Sequence, residues 1–145
     1  MLSTEINEIM KTDSSFLGCY PKDRLPHIES IKFPKKLILN TGRASSAGEH
    51  WVALILTRKI CFYFDSFGLE IIDRNILEYL QTQYQKYTFN NICIQDPHST
   101  KCGEFCIGFL KLVNNRNDFK KYICMFDFEN LKNNDKNVSK IVKTL

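Results

Sequence analysis

The sequence has 145 residues, of which 43% are apolar and 25% charged, the balance of a folded globular protein rather than a disordered one. A chain of this length suffices for one compact core, and we expect residues 1–145 to form a single domain. No apolar run approaches the roughly 20 residues of a membrane span, so no membrane association is expected. The first residues lack the basic flank and apolar stretch of a signal peptide, which predicts an intracellular protein.

The formal net charge is +4, and lysines and asparagines are concentrated in residues 131–145. This pattern favours a solvated tail and a mildly basic surface. A nucleic-acid groove usually has a denser basic stripe, so weak DNA binding stays only an alternative. The six cysteines do not favour a disulfide framework, because the chain is long and apolar enough to fold without one. A reducing compartment is the better interpretation.

Hydrophobic periodicity predicts helices and strands in mixed order, which is typical of the α+β class. The N-terminal helix is expected to begin with Ser3 or Thr4 as its cap. The proline-rich residues 16–35 are expected to be irregular. The predicted helices are residues 3–11, 70–85, 102–113 and 118–126, and the predicted strands are residues 36–40, 51–56, 60–64 and 91–95, with a hairpin turn at 57–59.

Cys102 is the first residue of the predicted central helix and directly follows a polar loop. The unpaired N–H groups and the partial positive charge of a helix N-terminus stabilise a thiolate, so this position suits a nucleophile. The apolar face of the helix predicts burial in the core; it consists of Cys102, Phe105, Cys106, Phe109, Leu110 and Val113. By position alone, the interpretation of Cys102 as a cysteine that only packs is favoured.

A cysteine nucleophile needs a base and a group that orients the base. His50 directly precedes the strand 51–56, and Asp65 directly follows the strand 60–64. If these strands pair as a hairpin, their outer ends lie side by side and bring the two residues together. The Asp65 carboxylate would then accept a hydrogen bond from the His50 imidazole and favour its charged form.

Gln95 ends a predicted strand seven positions before Cys102. Its side-chain amide could donate a hydrogen bond to the oxyanion that forms when a thiolate attacks a peptide carbonyl, together with backbone N–H groups at the start of the helix. A lone glutamine at a strand end carries little information by itself.

The sequence contains four motifs in the order Gly48-Glu49-His50-Trp51, Phe62-Tyr63-Phe64-Asp65-Ser66-Phe67-Gly68, Gln95-Asp96-Pro97 and Cys102-Gly103-Glu104-Phe105-Cys106. Together these motifs resemble the adenovirus protease (adenain-like) family of cysteine proteases. The segments Phe16-Leu17-Gly18-Cys19-Tyr20 and Asn40-Thr41-Gly42-Arg43 are similar to that family as well. The resemblance thus extends from residue 16 to about residue 112.

The resemblance implies a fold with a central mixed β-sheet, flanking helices, and the nucleophile at the N-terminus of a buried central helix. It also implies that Cys102 is the nucleophile, His50 its base, Asp65 the acidic member and Gln95 the oxyanion donor. Adenain has glutamate at the acidic position, whereas aspartate occurs in the related SUMO-deconjugating proteases. The chain also stops before the C-terminal region of adenain.

The implied function is that of a monomeric maturation endopeptidase, which cleaves viral capsid or core precursor proteins beside small residues, often glycine. Such an enzyme would act inside the host cell and be packaged in the virion. Adenain is activated by viral DNA and by a peptide cofactor bound through a disulfide. We do not expect peptide activation here, because Cys93 lies too close to Gln95 to match the cysteine that makes this bond. No other cofactor is expected.

Two other functions fit parts of the sequence. The first is an isopeptidase that removes a ubiquitin-like modifier, since the His-Trp, Phe-Asp-Ser and Cys-Gly pairs occur in such enzymes as well. The second is a non-enzymatic metal site formed by His98, Cys102 and Cys106, which are spaced four residues apart. Pro97 disfavours the helix that this site would need.

Overall fold

The computed structural model describes residues 1–28, 33–45, 48–83 and 86–145. Within these ranges the chain forms helices and strands in mixed order, so the α+β class is confirmed. The helices are α1 (Ser3–Met10), α2 (Arg74–Gln83), α3 (Cys102–Leu112), α4 (Arg116–Cys124) and α5 (Lys132–Thr144), and the strands are β1 (Phe16–Pro21), β2 (Lys35–Asn40), β3 (Trp51–Leu56), β4 (Cys61–Phe64) and β5 (Tyr87–Phe89).

The strands form a mixed five-stranded sheet in the order β1-β2-β3-β4-β5. The central strands β2, β3 and β4 are antiparallel to one another, and the outer strands β1 and β5 pair in parallel with β2 and β4. The predicted hairpin of β3 and β4 is confirmed, with Ala53 opposite Phe64. This register puts the start of β3 beside the end of β4.

Both faces of the sheet are buried, which explains why β3 has no polar alternation in its sequence. Ala53 and Ile55 pack on one face with residues of α1, α3, α4 and α5. Leu54 packs on the other face, together with residues of α2. The predicted burial of the central helix is confirmed, because residues 105–110 of α3 are all buried.

Two segments differ from their predictions, which are an irregular chain for residues 16–35 and a solvated tail for residues 131–145. The first part of 16–35 forms the edge strand β1, in which Pro21 is the last residue and its missing N–H disturbs little of the ladder. Residues 131–145 are not a solvated tail, because α5 packs against α3 and buries Asn134 and Val138.

The strand predicted over 91–95 is wrong. The backbone N–H groups of Ile94 and Gln95 both donate to the Ser66 carbonyl, at 2.9 and 3.1 Å, so this segment is a loop tied to the end of β4. The edge strand β5 lies a few residues earlier along the chain.

The starts of predicted helices also differ from the structure, and α4 begins at Arg116 rather than at residue 118. The helix predicted over 70–85 begins at Arg74, because the Asp73 carboxylate accepts the N–H of Ile76 at 3.3 Å and caps it. Residues 84–85 of that prediction lie outside the described residues. Neither Ser3 nor Thr4 caps α1; both lie within it. In the described ranges, no helix combines the length and apolar character needed to cross a membrane.

Candidate active site

His50 and Asp65 meet at the end of the β3–β4 hairpin. His50 Nε2 donates to Asp65 Oδ1 at 2.7 Å, and Asp65 is 5% exposed. The ring of Phe67 stacks on the imidazole, with ring centroids 4.6 Å apart and planes at 26°. The juxtaposition predicted from hairpin pairing is therefore present, and the ring is held by both a hydrogen bond and a stacking contact.

The turn that carries Asp65 is fixed by hydrogen bonds of its own. Phe67 N–H donates to Asp65 Oδ1 at 2.8 Å. The buried Asn90 side chain accepts from Asp65 N–H at 3.0 Å and donates to the Asp65 carbonyl at 2.6 Å. The sequence gives no signal for Asn90, because its partner is 25 residues away in the chain and the contact depends on the pairing of β4 with β5.

Cys102 is the first residue of α3, as the sequence predicts. Its sulfur interacts with the His50 ring and with the backbone N–H groups of Trp51 and Gly103. Because Asp65 engages Nε2 of His50, the other ring nitrogen, Nδ1, is the one available to the sulfur. The imidazole thus lies between the thiol and the carboxylate.

The electrostatics of this arrangement favour an ion pair between Cys102 and His50. Burial lowers the pKa of His50, but the hydrogen bonds and charges of Asp65 and Cys102 outweigh it and raise that pKa to about 9. Burial raises the pKa of Cys102, but the interactions with His50 and the backbone N–H groups outweigh it, and the net pKa lies below the ordinary thiol value. Both shifts favour thiolate and imidazolium.

Gln95 is 1% exposed and lies at the end of the loop tied to Ser66. Its side-chain amide donates to the Ser99 carbonyl at 2.9 Å and contacts the Ser66 hydroxyl. Gln95, His50 and Cys102 all line one cleft of about 710 Å³, whose walls also include Trp51 and Phe67. Asp65 is buried next to His50 rather than at the cleft surface.

The two cysteines of the metal alternative have other partners for their thiols, and the Cys102 sulfur interacts with His50. The backbone N–H of His98 donates to the Asp96 carboxylate in the turn before α3, at 2.9 Å. Cys106 is buried, and its thiol donates to the Trp51 carbonyl at 3.4 Å. Among the described residues, no group of three or more His, Cys, Asp and Glu side chains is arranged to hold a metal ion.

Replacing Asp65 with asparagine should slow a reaction that uses the Cys102 thiolate, by less than the roughly 10⁴-fold that this change costs a Ser-His-Asp triad, without eliminating it. The amide oxygen can still accept the His50 hydrogen bond, as in Cys-His-Asn proteases, but the negative charge is lost. The pKa of His50 should therefore fall from about 9, and the alkaline limit of the pH–rate profile should move to lower pH. Asp65→Glu should retain more activity than Asp65→Asn. Identical rates and profiles for Asp65→Asn and wild type would make Asp65 a structural turn residue.

Gly68→Ala should lower the free energy of unfolding by about 2 kcal/mol or more, measured by urea denaturation. Gly68 has φ +66°, and a Cβ there would lie 2.5 Å from the carbonyl carbon of Ile92. Gly18→Ala is the control, because Gly18 also has positive φ (134°) but a Cβ would lie 3.5 Å from its nearest neighbour. Equal losses of unfolding free energy in the two variants would show that the close approach to Ile92 adds nothing to the cost of the substitution.

Comparison with known proteins identifies a family match over residues 16–90, to the adenovirus endoproteases. The matched range contains His50 and Asp65 and ends before Gln95 and Cys102. The protease of bovine adenovirus C serotype 10 is 31% identical over 90 residues, which are 50% of this chain and 45% of that protease. The protease of human adenovirus B serotype 3 is 31% identical over 115 residues, covering 66% of this chain and 52% of that protease.

The chain therefore spans about half the length of the curated relatives it matches. Among solved structures, the ASFV pS273R protease aligns with a TM-score of 0.54 and 17% sequence identity, over 84% of this chain and 59% of that one. This likeness concerns the fold, and it agrees with the mixed sheet and flanking helices expected from the sequence.

Proposed function

Because the chain belongs to the adenovirus endoprotease family, we propose that it is a cysteine endopeptidase that cleaves capsid or core precursor proteins of a virus. The observation that carries this proposal is the His50 imidazole between the Cys102 thiol and the Asp65 carboxylate, in the wall of an open cleft. A thiol, a base and an orienting carboxylate in this order are the parts that nucleophilic acyl transfer needs.

In the proposed mechanism, the Cys102 thiolate attacks the peptide carbonyl carbon, and the carbonyl π electrons move onto oxygen. Gln95 Nε2 and backbone N–H groups at the start of α3 donate to this oxyanion. As the tetrahedral intermediate collapses, the C–N bond breaks and imidazolium His50 transfers its proton to the leaving amine. His50 then takes a proton from water, which attacks the thioester, releases the acid product and regenerates the cysteine.

We further propose that the enzyme works inside the infected cell and in the virion, at sites with small residues, often glycine, beside the scissile bond. The names of the relatives support a viral protease, since they are proteases of bovine and human adenoviruses. The substrate preference is carried over from the family resemblance.

The proposal is tested with purified protein and two substrate classes, namely capsid and core precursors from the same virus and conjugates of a ubiquitin-like modifier. We expect cleavage of a precursor at an internal peptide bond, and no cleavage by the Cys102→Ala variant. Cleavage of the conjugates alone would replace the endopeptidase with the isopeptidase alternative. Cleavage of neither class would contradict the proposal.

A further inference from the structure

The side-chain amide of Gln95 is held at both of its polar atoms, and its orientation follows from the chemistry of its partners. One amide atom lies 2.9 Å from the Ser99 carbonyl oxygen, which can only accept a hydrogen bond. That atom is therefore the nitrogen, Nε2. The amide atom that contacts the Ser66 hydroxyl must then be Oε1, so Ser66 Oγ–H donates to it.

Ser66 holds the backbone of Gln95 as well as its side chain. Ser66 is fully buried, and its carbonyl accepts the N–H groups of Ile94 and Gln95 at 2.9 and 3.1 Å. It directly follows Asp65 in the chain. The turn that presents the carboxylate to His50 therefore also fixes Gln95, which lines the same cleft as His50 and Cys102.

Helix α5 also forms hydrogen bonds to the loop that contains Gln95. The buried Asn134 side chain donates to the Ile94 carbonyl at 2.8 Å. Asp135 accepts from the Ser99 hydroxyl at 2.7 Å, and Ser99 provides the carbonyl that accepts from Gln95. Helix α5 thus holds the loop at Ile94 and at Ser99, on the two sides of Gln95 along the chain.

From these contacts we propose that Ser66 is a positioning residue, which fixes Gln95 so that one N–H of its amide donates into the cleft. An amide NH₂ group has two hydrogens, and within the described residues the Ser99 carbonyl accepts one of them. The cleft that Gln95 lines is where the second hydrogen can meet a substrate oxygen. This inference rests on the proposed function, in which Gln95 stabilises the oxyanion.

Without the Ser66 hydroxyl, Oε1 of Gln95 loses its donor and the amide can rotate about its last torsion. Rotation moves the N–H away from the oxyanion position, and a preorganised donor acts mainly in the transition state. The loss should therefore appear in kcat and not in KM. The thiolate–imidazolium pair does not contain Ser66, so the alkylation rate of Cys102 should not change.

The experiment is a double-mutant cycle of Ser66→Ala and Gln95→Ala, with kcat, KM, Cys102 alkylation and Tm measured for each protein. We expect Gln95→Ala to lower kcat by about 10²–10³-fold and Ser66→Ala to lower it by roughly 10-fold, a fraction of that effect. In the Gln95→Ala background, Ser66→Ala should lower kcat no further, because its effect passes through Gln95.

Thr57→Ala is the matched control. Thr57 also donates its hydroxyl to a carbonyl, that of Ile60 at 2.7 Å, but it lies at the other end of β3 from His50. This variant should lower Tm and leave kcat unchanged. If Ser66→Ala does not fold, Ser66→Cys, which keeps a weaker donor, should give a kcat between those of wild type and Gln95→Ala.

The outcomes separate the inference from the proposed function. The positioning role of Ser66 is overturned if Gln95→Ala slows turnover but Ser66→Ala does not. It is also overturned if the loss of kcat caused by Ser66→Ala persists in full in the Gln95→Ala background. In both cases the protease assignment stands. If Gln95→Ala lowers kcat by less than about threefold, the oxyanion role of Gln95 and the positioning role both fall. Full activity of Cys102→Ala would overturn the proposed function itself.

Discussion

Replacing Cys102 with alanine should abolish proteolysis while the protein stays folded. The variant lacks the atom that forms the thioester, so kcat should fall by on the order of 10⁴-fold or more. The fold should persist, because Cys102 is only half-buried at the start of α3 and its removal leaves the packed face of that helix intact. Cleavage of a precursor substrate and thermal unfolding, measured on the same sample, check both parts.

Cys106→Ala is the matched control for this prediction, one helical turn further along α3. Cys106 is fully buried in the core, and burial raises the pKa of its thiol well above the ordinary value, which keeps it protonated and unreactive. Its replacement should lower the free energy of unfolding by about 1 kcal/mol and leave kcat within a factor of two or so. The opposite pattern, with Cys106→Ala inactive and Cys102→Ala active, would refute the assignment of the nucleophile.

The parts of the site that the sequence predicts have local signals. His50 and Asp65 flank two short apolar strands joined by a tight turn, so pairing of these strands is enough to bring the residues together. Cys102 begins a helix with one continuous apolar face. That face predicts where the helix starts and which of its sides packs into the core. In each case the relevant information lies within about 15 residues of chain.

The parts that the sequence does not predict depend on contacts between distant segments. The loop before Gln95 is apolar enough for a strand, yet its N–H groups bind Ser66, 28 and 29 residues earlier in the chain. Helix α5 has few apolar residues, and a buried asparagine, Asn134, docks it by hydrogen bonds to the Ile94 and Asp127 carbonyls. Buried polar contacts of this kind leave no hydrophobic period in the sequence.

His50→Ala should cause the second largest loss of activity and change the pH dependence of Cys102. The variant removes the group that protonates the leaving amine, a contribution of about 10²–10⁴-fold in kcat. It also removes the hydrogen bond and positive charge that lower the pKa of Cys102, while the burial that raises this pKa remains. The thiol pKa of the variant should therefore lie above its value in the wild type.

In the wild type, the reactive ion pair exists above the lowered pKa of Cys102 and below the pKa of about 9 at which His50 loses its proton. Turnover should thus rise with pH through the first of these values, as the thiolate forms. It should fall near pH 9, because neutral imidazole cannot protonate the leaving amine. The two limits belong to the coupled pair, since each charge stabilises the other.

Iodoacetamide labelling followed by mass spectrometry measures the thiolate directly, and exposed Cys124 serves as an internal reference in every sample. At pH 7, Cys102 of His50→Ala should be alkylated at least about 10-fold more slowly than Cys102 of the wild type, because a smaller fraction is thiolate. Labelling of Cys124 should be equal in the two proteins, since its environment is unchanged. If the pH profiles of Cys102 labelling coincide, His50 does not lower the pKa of Cys102, and the ion pair on which the proposed mechanism depends is absent.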